Sequence, residues 1–392
     1  MKILMLEWDS FGNKHIKKAF IKRGIEIVSM EFSIKREDTR VSEELATRVV
    51  KNIQENGVDI VFSFNYFPVV AIAAAACKIK YLSWTYDSPY IQIYSKTIEY
   101  PSNYAFVFDK AEYYNLISKG VNTVHYLPMA ADTDYYDSIV PSESDKKRYS
   151  ADVAMVGSMY SEKKHDLIRH FDGLDDYTSG YLSGLMDAQK QLYGVSILEK
   201  GLTSSIVSNI QKVCPMTARG DGLESIEWVF ANYFVARKLT AIERKEYLEA
   251  LSDKFDVALY TPEATPELKK VHNRGSLEYY SDAPKAFKCA KININISLRS
   301  IISGIPLRCL DIMGCGGFLL TNYQSDFEEF FEAGKDYVYF ESKEDLIEKT
   351  QYYLSHEDER IRIAKSGYEK VKLYHNFDRR VEEMLNTIHN PS

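Results

Sequence analysis

Residues 58–84, VDIVFSFNYFPVVAIAAAACKIKYLSW, contain two short apolar runs on either side of an alanine-rich stretch. Residues 58–64 and 80–84 are rich in β-branched and aromatic side chains, which predicts two strands, and residues 68–78 between them predict a helix. Continuous apolar strands that alternate with helices are typical of a parallel sheet covered on both faces. This stretch therefore predicts a strand–helix–strand unit of an α/β fold.

The apolar run from 60 to 77 also approaches the length of a membrane span. Asn65 and Pro68 interrupt it, whereas a spanning helix needs about 20 predominantly apolar residues. We therefore expect a buried strand and helix in a soluble protein rather than a transmembrane segment.

The same alternation extends over the first 130 residues. Gly24, Gly57 and Gly120 stand just after three of the helical stretches, where glycine favours the end of a helix. We predict strands at 3–8, 25–32, 58–64, 80–84, 104–108 and 123–127, and helices at 15–23, 43–55, 69–77 and 111–118. This pattern predicts a Rossmann-like domain over residues 1–146.

Strands and helices alternate again in the second part of the chain. The polar run 141–148, PSESDKKR, has no periodicity and predicts a linker, and a helical insertion is expected at about 170–235. We predict strands at 152–157, 256–260, 276–280, 291–296, 317–321 and 337–340, and helices at 284–289, 306–314, 327–331, 344–354 and 358–388. A second Rossmann-like domain is therefore expected over residues 147–372, and the two domains are expected to face a cleft.

Composition excludes some classes of partner. The chain has 392 residues, of which 49 are Lys or Arg and 56 are Asp or Glu, so the formal net charge is −7. This balance gives no general attraction to nucleic acid or to an anionic membrane, and we expect neither as a partner. Five cysteines without a C-x-x-C pair are typical of reduced thiols, which favours a cytoplasmic protein.

The first candidate for ligand binding is VGSMYSEK at 156–163, a predicted strand end followed by a turn. Backbone N–H groups of Gly157 and Ser158 at the start of a helix suit a phosphate, and Lys163 would add a positive charge. Glycine–serine turns are also common after strands, so an ordinary turn remains an alternative.

The second candidate is NISLRSIISGIPLRCLDIMGCGG at 295–317. Ser303 and Gly304 precede a predicted helix, on which Arg308 and Asp311 are three residues apart and so share one face. A guanidinium near a helix N-terminus can bind a diphosphate, and a carboxylate one turn later can accept hydrogen bonds from a ribose diol. The alternative is a local ion pair between the two side chains, worth about 0.3 kcal/mol.

This second segment carries a family resemblance. Residues 303–342, SGIPLRCLDIMGCGGFLLTNYQSDFEEFFEAGKDYVYFES, resemble the carboxyl-terminal half of CgeB-like (spore-maturation type) glycosyltransferases. Residues 82–89, LSWTYDSP, and 106–132, FVFDKAEYYNLISKGVNTVHYLPMAAD, are similar to the first half of the same family. The resemblance implies a GT-B fold, in which the second of two facing Rossmann-like domains binds a nucleotide sugar, here expected to be a UDP-sugar. It also implies that the C-terminal helix, 373–392, packs back on the first domain.

The resemblance assigns residues of the second domain to the donor. Lys163 corresponds to the phosphate-binding lysine of retaining GT-B enzymes, and Asp311 to the carboxylate that holds the ribose. Ser158 stands where the family has an arginine and Ser303 where it has a glutamate, so the donor sugar and the stereochemistry stay open. We expect Arg308 or Arg299, with Arg308 favoured, to take the place of the missing arginine at the diphosphate. Gly304, just before the helix that carries Arg308, is also expected to contact the donor, and Tyr260 is expected to lie near the nucleobase.

In the first domain, residues at predicted strand ends are candidates for the acceptor. Asp87 is a candidate general base for an acceptor hydroxyl in an inverting reaction, although it also suits a hydrogen bond to a sugar or a turn before Pro89. Gly12, Asn65 and Tyr86 are expected to line the acceptor site.

The sequence therefore predicts a glycosyltransferase that moves a sugar from a UDP-sugar to a hydroxyl on a glycan, a protein or a cell-surface or spore component. The alternatives are an epimerase or hydrolase of nucleotide sugars with the same fold, and a non-catalytic sugar-binding or spore-coat assembly protein. The motif Asp132-Thr-Asp134 fits the metal motif of a different glycosyltransferase fold, but we expect no metal and no cofactor other than the nucleotide-sugar co-substrate.

Overall fold

The computed structural model describes residues 1–34, 38–161 and 166–389. By its internal contacts the chain divides into two compact units. Unit 1 contains Met1–Ala130, Arg219–Glu224 and the chain from His375 onward, and unit 2 contains Ala131–Ala218 and Ser225–Tyr374. Each unit has its own six-stranded sheet, so the α/β class is confirmed.

The sheet of unit 1 is entirely parallel, with the strand order β2-β1-β3-β4-β5-β6. Its strands are β1 (Lys2–Glu7), β2 (Glu26–Glu31), β3 (Ile60–Phe64), β4 (Lys80–Thr85), β5 (Asn103–Val107) and β6 (Val124–Tyr126). Its helices are α1 (Asn13–Lys22), α2 (Glu43–Asn56), α3 (Pro68–Ala76), α4 (Lys110–Ser118) and, from the end of the chain, α17 (Phe377–His389). The strand–helix–strand unit predicted from residues 58–84 is confirmed as β3, α3 and β4.

Local sequence explains why these helices begin and end where they do. Ser42 caps α2 by accepting a hydrogen bond from the backbone of Leu45, and Glu43 and Glu44 complement the positive end of the helix dipole. Gly57 ends α2 in the left-handed conformation at φ 57°, where a side chain would be strained. The central strand β3 buries its side chains on both faces, since all five of its residues are buried.

The sheet of unit 2 is also parallel, with the strand order β12-β11-β10-β7-β8-β9. Its strands are β7 (Ala151–Val156), β8 (Val257–Tyr260), β9 (His272–Asn273), β10 (Ala290–Asn295), β11 (Leu319–Asn322) and β12 (Val338–Phe340). The helices of the sheet are α12 (Ala283–Cys289), α13 (Leu307–Gly314), α14 (Phe327–Phe330), α15 (Lys343–Ser355) and α16 (Glu357–Tyr374).

Between β6 and β8, the regular elements in the described part of unit 2 are β7 and a series of helices. The α-helices are α5 (Thr133–Asp137), α6 (Glu143–Tyr149), α7 (Asp176–Lys190), α8 (Leu198–Gly201), α9 (Ser204–Val213), α10 (Ile226–Val229) and α11 (Ala236–Ser252). A π-helical turn at Phe230–Val235 joins α10 to α11. The helices from α7 onward form the insertion, and α11 brings it onto the sheet, where Leu248 and Leu251 are buried in the core.

Three predicted elements are wrong. The run 141–148 is not an unstructured linker, because Ser142 and Asp145 form a reciprocal capping box that begins α6. Its charges are also arranged to complement the helix dipole, acidic in the first turn and basic in the last. The helix was not predicted because the run has no apolar periodicity, and its capping residues are the signal that indicates it.

The strand predicted at 276–280 is also absent. The short strand β9 precedes it, and Gly275 turns the chain at φ 80°. The hydroxyl of Tyr279 donates to Asp311 at 2.9 Å, and the carbonyl of Tyr280 accepts from Tyr135. Of the aromatic residues that suggested a strand, Tyr279 therefore contacts α13 and Tyr280 contacts α5.

The long helix predicted at 358–388 is two helices, α16 and α17. The break lies at His375 and Asn376, where the ring of buried His375 hydrogen-bonds the Arg380 guanidinium at 2.7 Å. Phe377 then packs against the rings of His15 and Trp84 in unit 1. In the described part of the chain, no helix is both long enough and apolar enough to cross a membrane.

Candidate functional site

In unit 2 the strand order reverses between β7 and β10. From β7 the chain builds β8 and β9 on one side, and then returns to place β10 on the other side. Ligands of open parallel sheets bind at such a point, outside the carboxyl ends of the strands. Gly157 and Ser158 directly follow β7, and Ile296 directly follows β10, so these residues border the expected site.

Arg244 of α11 occupies this point of reversal. Its Nε donates to the carbonyl of Ile296 at 3.0 Å, its Nη2 donates to the same carbonyl, and its Nη1 donates to the carbonyl of Ser158. The guanidinium also lies 4.8 Å from the ring centre of Tyr160, within range of a cation–π interaction. Because Arg244 is 8% exposed and holds the turns after both strands, it orders the phosphate-binding turn predicted at Gly157 and Ser158.

Arg299, a predicted diphosphate ligand, is bound to other protein groups. Its Nε donates to Glu243 at 2.7 Å, and its Nη1 donates to the carbonyl of Leu192 at 2.8 Å. The two charged side chains of this pair are 7% and 2% exposed. Burial lowers the pKa of Arg299, but the hydrogen bonds and charge of Glu243 raise it more, so it stays a cation. Arg299 therefore fastens the turn after α7 to α11 and does not present its donors to a ligand.

Arg308 is the third arginine beside this part of the sheet. Within the described residues its guanidinium makes one hydrogen bond, from Nη1 to Asp311 at 3.4 Å, so most of its five N–H groups remain available. The side chain is 27% exposed and lies in the first turn of α13. Pro306 is the N-cap residue, preceded by the buried Ser303 and Gly304. The structure therefore brings these predicted donor residues together at the helix N-terminus.

Asp311 is part of a buried polar group. Its Oδ1 accepts hydrogen bonds from the hydroxyls of Tyr136 at 2.7 Å and Tyr279 at 2.9 Å. Burial and the charge of Asp311 raise the pKa of Tyr136 well above its ordinary value, so this tyrosine remains a donor. The two hydroxyls fix the carboxylate on the face of α13 that also carries Arg308.

Two other predicted donor residues lie apart from this group. The ring of Tyr260, the last residue of β8, is buried in a hydrophobic core cluster, and its hydroxyl accepts from Arg274 at 3.2 Å. This ring is not positioned to stack on a base at the surface. Lys163 lies outside the described residues.

In unit 1 the strand order reverses between β1 and β3, and three of the predicted acceptor residues meet there. Asn65 follows β3 in the left-handed conformation at φ 58°. Its Nδ2 donates to Asp87 Oδ2 at 2.8 Å, and its Oδ1 accepts from the backbone of Tyr86 at 3.1 Å. Asn65 therefore fixes the loop after β4 and holds the exposed carboxylate of Asp87 in one orientation.

Gly12 lies at the same edge, after β1. A Cβ atom at this position would stand 2.3 Å from Cζ of Phe64. Only a glycine therefore lets the backbone lie this close to the ring. The ring of Phe64 also packs against Tyr86, with centroids 5.8 Å apart, and Tyr86 in turn stacks on Trp8 at 5.8 Å. Phe11 completes this aromatic cluster, 6.2 Å from Tyr86.

Two buried carboxyl groups support the loop that carries Asp87. Asp109 accepts a hydrogen bond from the hydroxyl of Ser88 at 3.2 Å, and Glu112 accepts one from the backbone of Tyr90 at 3.2 Å. Burial, together with the charges of Asp109 and Asp87, raises the pKa of Glu112 to about 8. Glu112 is therefore largely protonated at neutral pH, which avoids two adjacent buried anions.

The sequence analysis did not single out Arg244, Glu243, Tyr136 or Glu112. Arg244 and Glu243 stand in an ordinary charged stretch of a long helix, and nothing local distinguishes them from solvated residues. Asp132, in the motif set aside as a metal site, caps α5 by accepting from the backbone of Tyr135 at 3.1 Å. Over the described ranges there is no group of three His, Cys, Asp or Glu side chains arranged to hold a metal ion.

Residues 238–386 match the model of a protein family described as glycosyl transferase-like. The match covers about two fifths of the chain and includes α13 with Arg308 and Asp311, as well as Arg244 and Arg299. A comparison with curated protein sequences gave no match.

Several solved structures share the architecture of the whole chain. HepE of Anabaena, crystallised with UDP and glucose, is 11% identical, with a TM-score of 0.55 and 99% of each chain covered. A glycosyltransferase from Rickettsia africae is 12% identical, with a TM-score of 0.54 and 100% and 99% of the two chains covered. Sucrose-phosphate synthase from Thermosynechococcus elongatus is 10% identical, with a TM-score of 0.55 and 99% and 98% covered. The chain therefore has the GT-B fold, and its residues 238–386 are similar to the glycosyl transferase-like family.

Proposed function

We propose that the protein is a glycosyltransferase that transfers a sugar from a UDP-sugar to a hydroxyl acceptor. Arg308 and Asp311 form the local ion pair considered above, but the observation that carries this proposal is that Arg308 keeps further donors while Asp311 is fixed beside it by two tyrosine hydroxyls. Both residues lie within the region that matches the glycosyl transferase-like family. Solved structures of the same fold include one that holds UDP-glucose, which favours a uridine nucleotide here. A CgeB-like subtype remains part of the proposal.

The diphosphate is assigned to Arg308 and the N-terminus of α13. A planar guanidinium binds phosphate oxygens through two parallel hydrogen bonds, and the helix N-terminus adds a partial positive charge. These groups stabilise the UDP leaving group as negative charge develops on it in the transition state. Lys163 would contribute a further charge, as the family resemblance implies.

Asp311 is assigned to the ribose of the donor. The hydroxyls of Tyr136 and Tyr279 bind to one of its oxygens, Oδ1, while Oδ2 faces Arg308. A carboxylate fixed in this way loses little conformational entropy when it accepts a hydrogen bond from a ribose hydroxyl. Ser303 and Gly304, just before α13, are assigned to the transferred sugar.

Asp87 is proposed as the group that accepts the proton of the acceptor hydroxyl in an inverting reaction. Asn65 orients its carboxylate, and the loop that carries it rests on Asp109 and Glu112. A carboxylate within hydrogen-bond reach of a hydroxyl contributes typically 10²–10⁴-fold to the rate as a general base. In a retaining reaction Asp87 would bind the acceptor without removing its proton.

The first experiment is a thermal-shift screen of the full chain with UDP, GDP, ADP and their sugar conjugates. A ligand at one hundred times its Kd stabilises the folded state by about 2.7 kcal/mol. We expect UDP and a UDP-sugar to raise the melting temperature, and Arg308→Ala to reduce this shift. Arg362→Ala is the matched control, since Arg362 also pairs with an acidic residue three positions away, on an exposed part of α16.

Turnover then tests the assignment of the diphosphate. Loss of one group that stabilises developing charge costs about 10²–10³-fold in kcat, which we expect for Arg308→Ala and not for Arg362→Ala. Full activity in Arg308→Ala would refute the role of Arg308. If no nucleotide stabilises the wild-type protein, the donor site itself is wrong.

Product analysis separates the alternative functions. An epimerase or hydrolase consumes the nucleotide sugar without an acceptor, whereas a transferase needs the acceptor for rapid release of UDP. A non-catalytic sugar-binding or assembly protein binds ligands but releases no UDP in either case.

A further inference from the structure

We propose that the acceptor is a carbohydrate whose ring stacks on an aromatic platform formed by Trp8, Phe11 and Tyr86, and whose hydroxyls donate to Asp87. This inference rests on the proposed function and specifies the chemical class of its second substrate. It concerns unit 1 alone and uses no contact with unit 2.

The platform is a set of aromatic rings at the carboxyl edge of the sheet in unit 1. Tyr86 is its centre: Trp8 stacks on it with an interplanar angle of 27°, and Phe11 lies 6.2 Å away at 43°. Phe11 is 47% exposed, although it is a large apolar side chain. Because the strand order of this sheet reverses between β1 and β3, the platform lies where an open α/β sheet binds its ligand.

The platform is rigid before any ligand arrives. The indole Nε1 of Trp8 donates to the carbonyl of Phe64 at 2.8 Å, which fixes the plane of the ring. Phe64 is buried and supports Tyr86 from below, and Gly12 lets the loop after β1 lie directly on it. A surface that is already ordered loses little conformational entropy on binding.

The polar partner of the platform is equally fixed. Asn65 donates to Asp87 Oδ2 at 2.8 Å, so the carboxylate stands beside Tyr86 in a defined orientation. An ionised carboxylate accepts hydrogen bonds and donates none, so it selects a ligand rich in hydroxyl or amine donors. A sugar ring carries apolar C–H groups on one face and hydroxyl donors at its edge, and so matches both the rings and the carboxylate.

The local charge disfavours other classes of acceptor. Asp9 and Asp87 are both exposed at this edge, and the loop rests on Asp109, so an anionic acceptor is repelled. A lipid chain would bring the charged Asp87 carboxylate into an apolar contact, which is unfavourable because the charge loses its hydration. A neutral glycan meets neither penalty.

The test is saturation-transfer NMR on the full chain, with UDP present to occupy the donor site. The probes are cellobiose, maltose, chitobiose and mannobiose, with a serine- and threonine-containing hexapeptide and p-nitrophenol as competing classes. We expect at least one disaccharide to bind through the C–H groups of one ring face. Phe11→Ala and Asp87→Asn should each weaken this binding at least tenfold.

Tyr114→Ala is the matched control, because Tyr114 is an aromatic residue of unit 1 that is 62% exposed on α4. This variant should bind the disaccharide as the wild type does. Melting curves of all variants report whether they fold, and Phe11→Ala is expected to fold because the side chain is half exposed.

Three results would overturn the inference: no disaccharide binds, binding is unchanged in both Phe11→Ala and Asp87→Asn, or the hexapeptide or p-nitrophenol binds to the platform in place of the sugars. The thermal shift with UDP is recorded on the same samples. A normal UDP shift together with any of these results refutes the carbohydrate acceptor and leaves the proposed donor function intact, whereas loss of the UDP shift refutes the donor function.

Discussion

Both sheets are parallel and six-stranded, although their strand orders differ, and the residues at their carboxyl edges differ in chemistry. In unit 1 this edge carries Trp8, Phe11 and Tyr86 beside an oriented carboxylate, Asp87. In unit 2 the corresponding edge is held by guanidinium groups that bind backbone carbonyls and a buried glutamate. Each sheet is thus a parallel scaffold with a point where the strand order reverses, and the loops after the strands decide which ligand it suits.

The edge of unit 2 also shows that similar side chains serve different purposes. Arg244 and Arg299 are nearly buried, and their donors bind carbonyls or Glu243. Arg308 retains donors for a ligand and is 27% exposed. An arginine near the point where the strand order reverses is thus a candidate ligand-binding residue only when its N–H groups are not all bound to other protein groups.

The largest expected effect is on the buried ion pair of unit 2. Arg299→Ala leaves Glu243 charged and buried without its partner, which costs about 3–5 kcal/mol of unfolding free energy. Urea denaturation followed by tryptophan fluorescence, to which Trp228 of the same unit contributes, measures this change. Lys335→Ala, which removes an exposed pair with Glu332, should change it by less than about 1 kcal/mol. Equal effects in the two variants would contradict the structural role of Arg299.

The second prediction concerns the acidic support of the edge in unit 1. The pKa of Glu112 is raised to about 8 in the folded protein, so folding favours its protonated form. The resulting stability is present at low pH and is lost as the pH rises through about 8. Between pH 5 and pH 8 this loss amounts to about 3 kcal/mol.

Glu112→Gln replaces the protonated carboxyl by a neutral amide of the same shape. We expect the unfolding free energy of this variant to fall less steeply than that of the wild type between pH 5 and pH 8, when both are measured by urea denaturation. The groups that face Glu112 are the same in both proteins: Asp109, Asp87, Ser88 and Tyr90. Parallel pH profiles would show that Glu112 is ionised throughout.

A smaller effect is expected at the contact between the loop after β1 and its supporting ring. Gly12→Ala places a methyl group against Phe64, and overpacking of this kind costs about 1–3 kcal/mol. Gly180→Ala is the control, because a Cβ atom there meets nothing within 4 Å and α7 gains about 0.5–1 kcal/mol from the better helix former. In thermal melting, Gly12→Ala should lower the melting temperature and Gly180→Ala should raise it. An unchanged melting temperature in Gly12→Ala would mean that Phe64 can move aside.

The smallest effect is expected at the start of α6. Ser142→Ala removes the hydroxyl that accepts from the backbone of Asp145, which costs about 1 kcal/mol. The change is read from the melting temperature of the full chain, and Ser142→Asp, which restores a capping oxygen, should recover most of the loss. An unchanged melting temperature would mean that the cap adds no net stability.

Prediction from the sequence succeeded where the information is local. The strands β3 and β4 and the helix α3 follow from apolar runs of characteristic length, and Arg308 and Asp311 share a face because they are three residues apart on one helix. It failed for α6, where the helix depends on a cap rather than on an apolar face, and for residues 276–280, whose aromatic side chains suit a strand as well as a packed turn. The roles proposed for the donor and acceptor residues stay predictions until ligands are tested.

By itself, the sequence determined the α/β class, the order of most strands and helices along the chain, and the chemical types of residue that follow the strands. These features depend on neighbours within a few positions, because periodicity and capping act over one or two turns. Only the tertiary structure decided that Arg299 binds Glu243 while Arg308 keeps its donors, and that Asn65 orients Asp87 beside a stack of rings. The residues of these two pairs are 22 and 56 positions apart in the sequence. They meet only in the folded chain, so no local sequence pattern indicates which residues will pair.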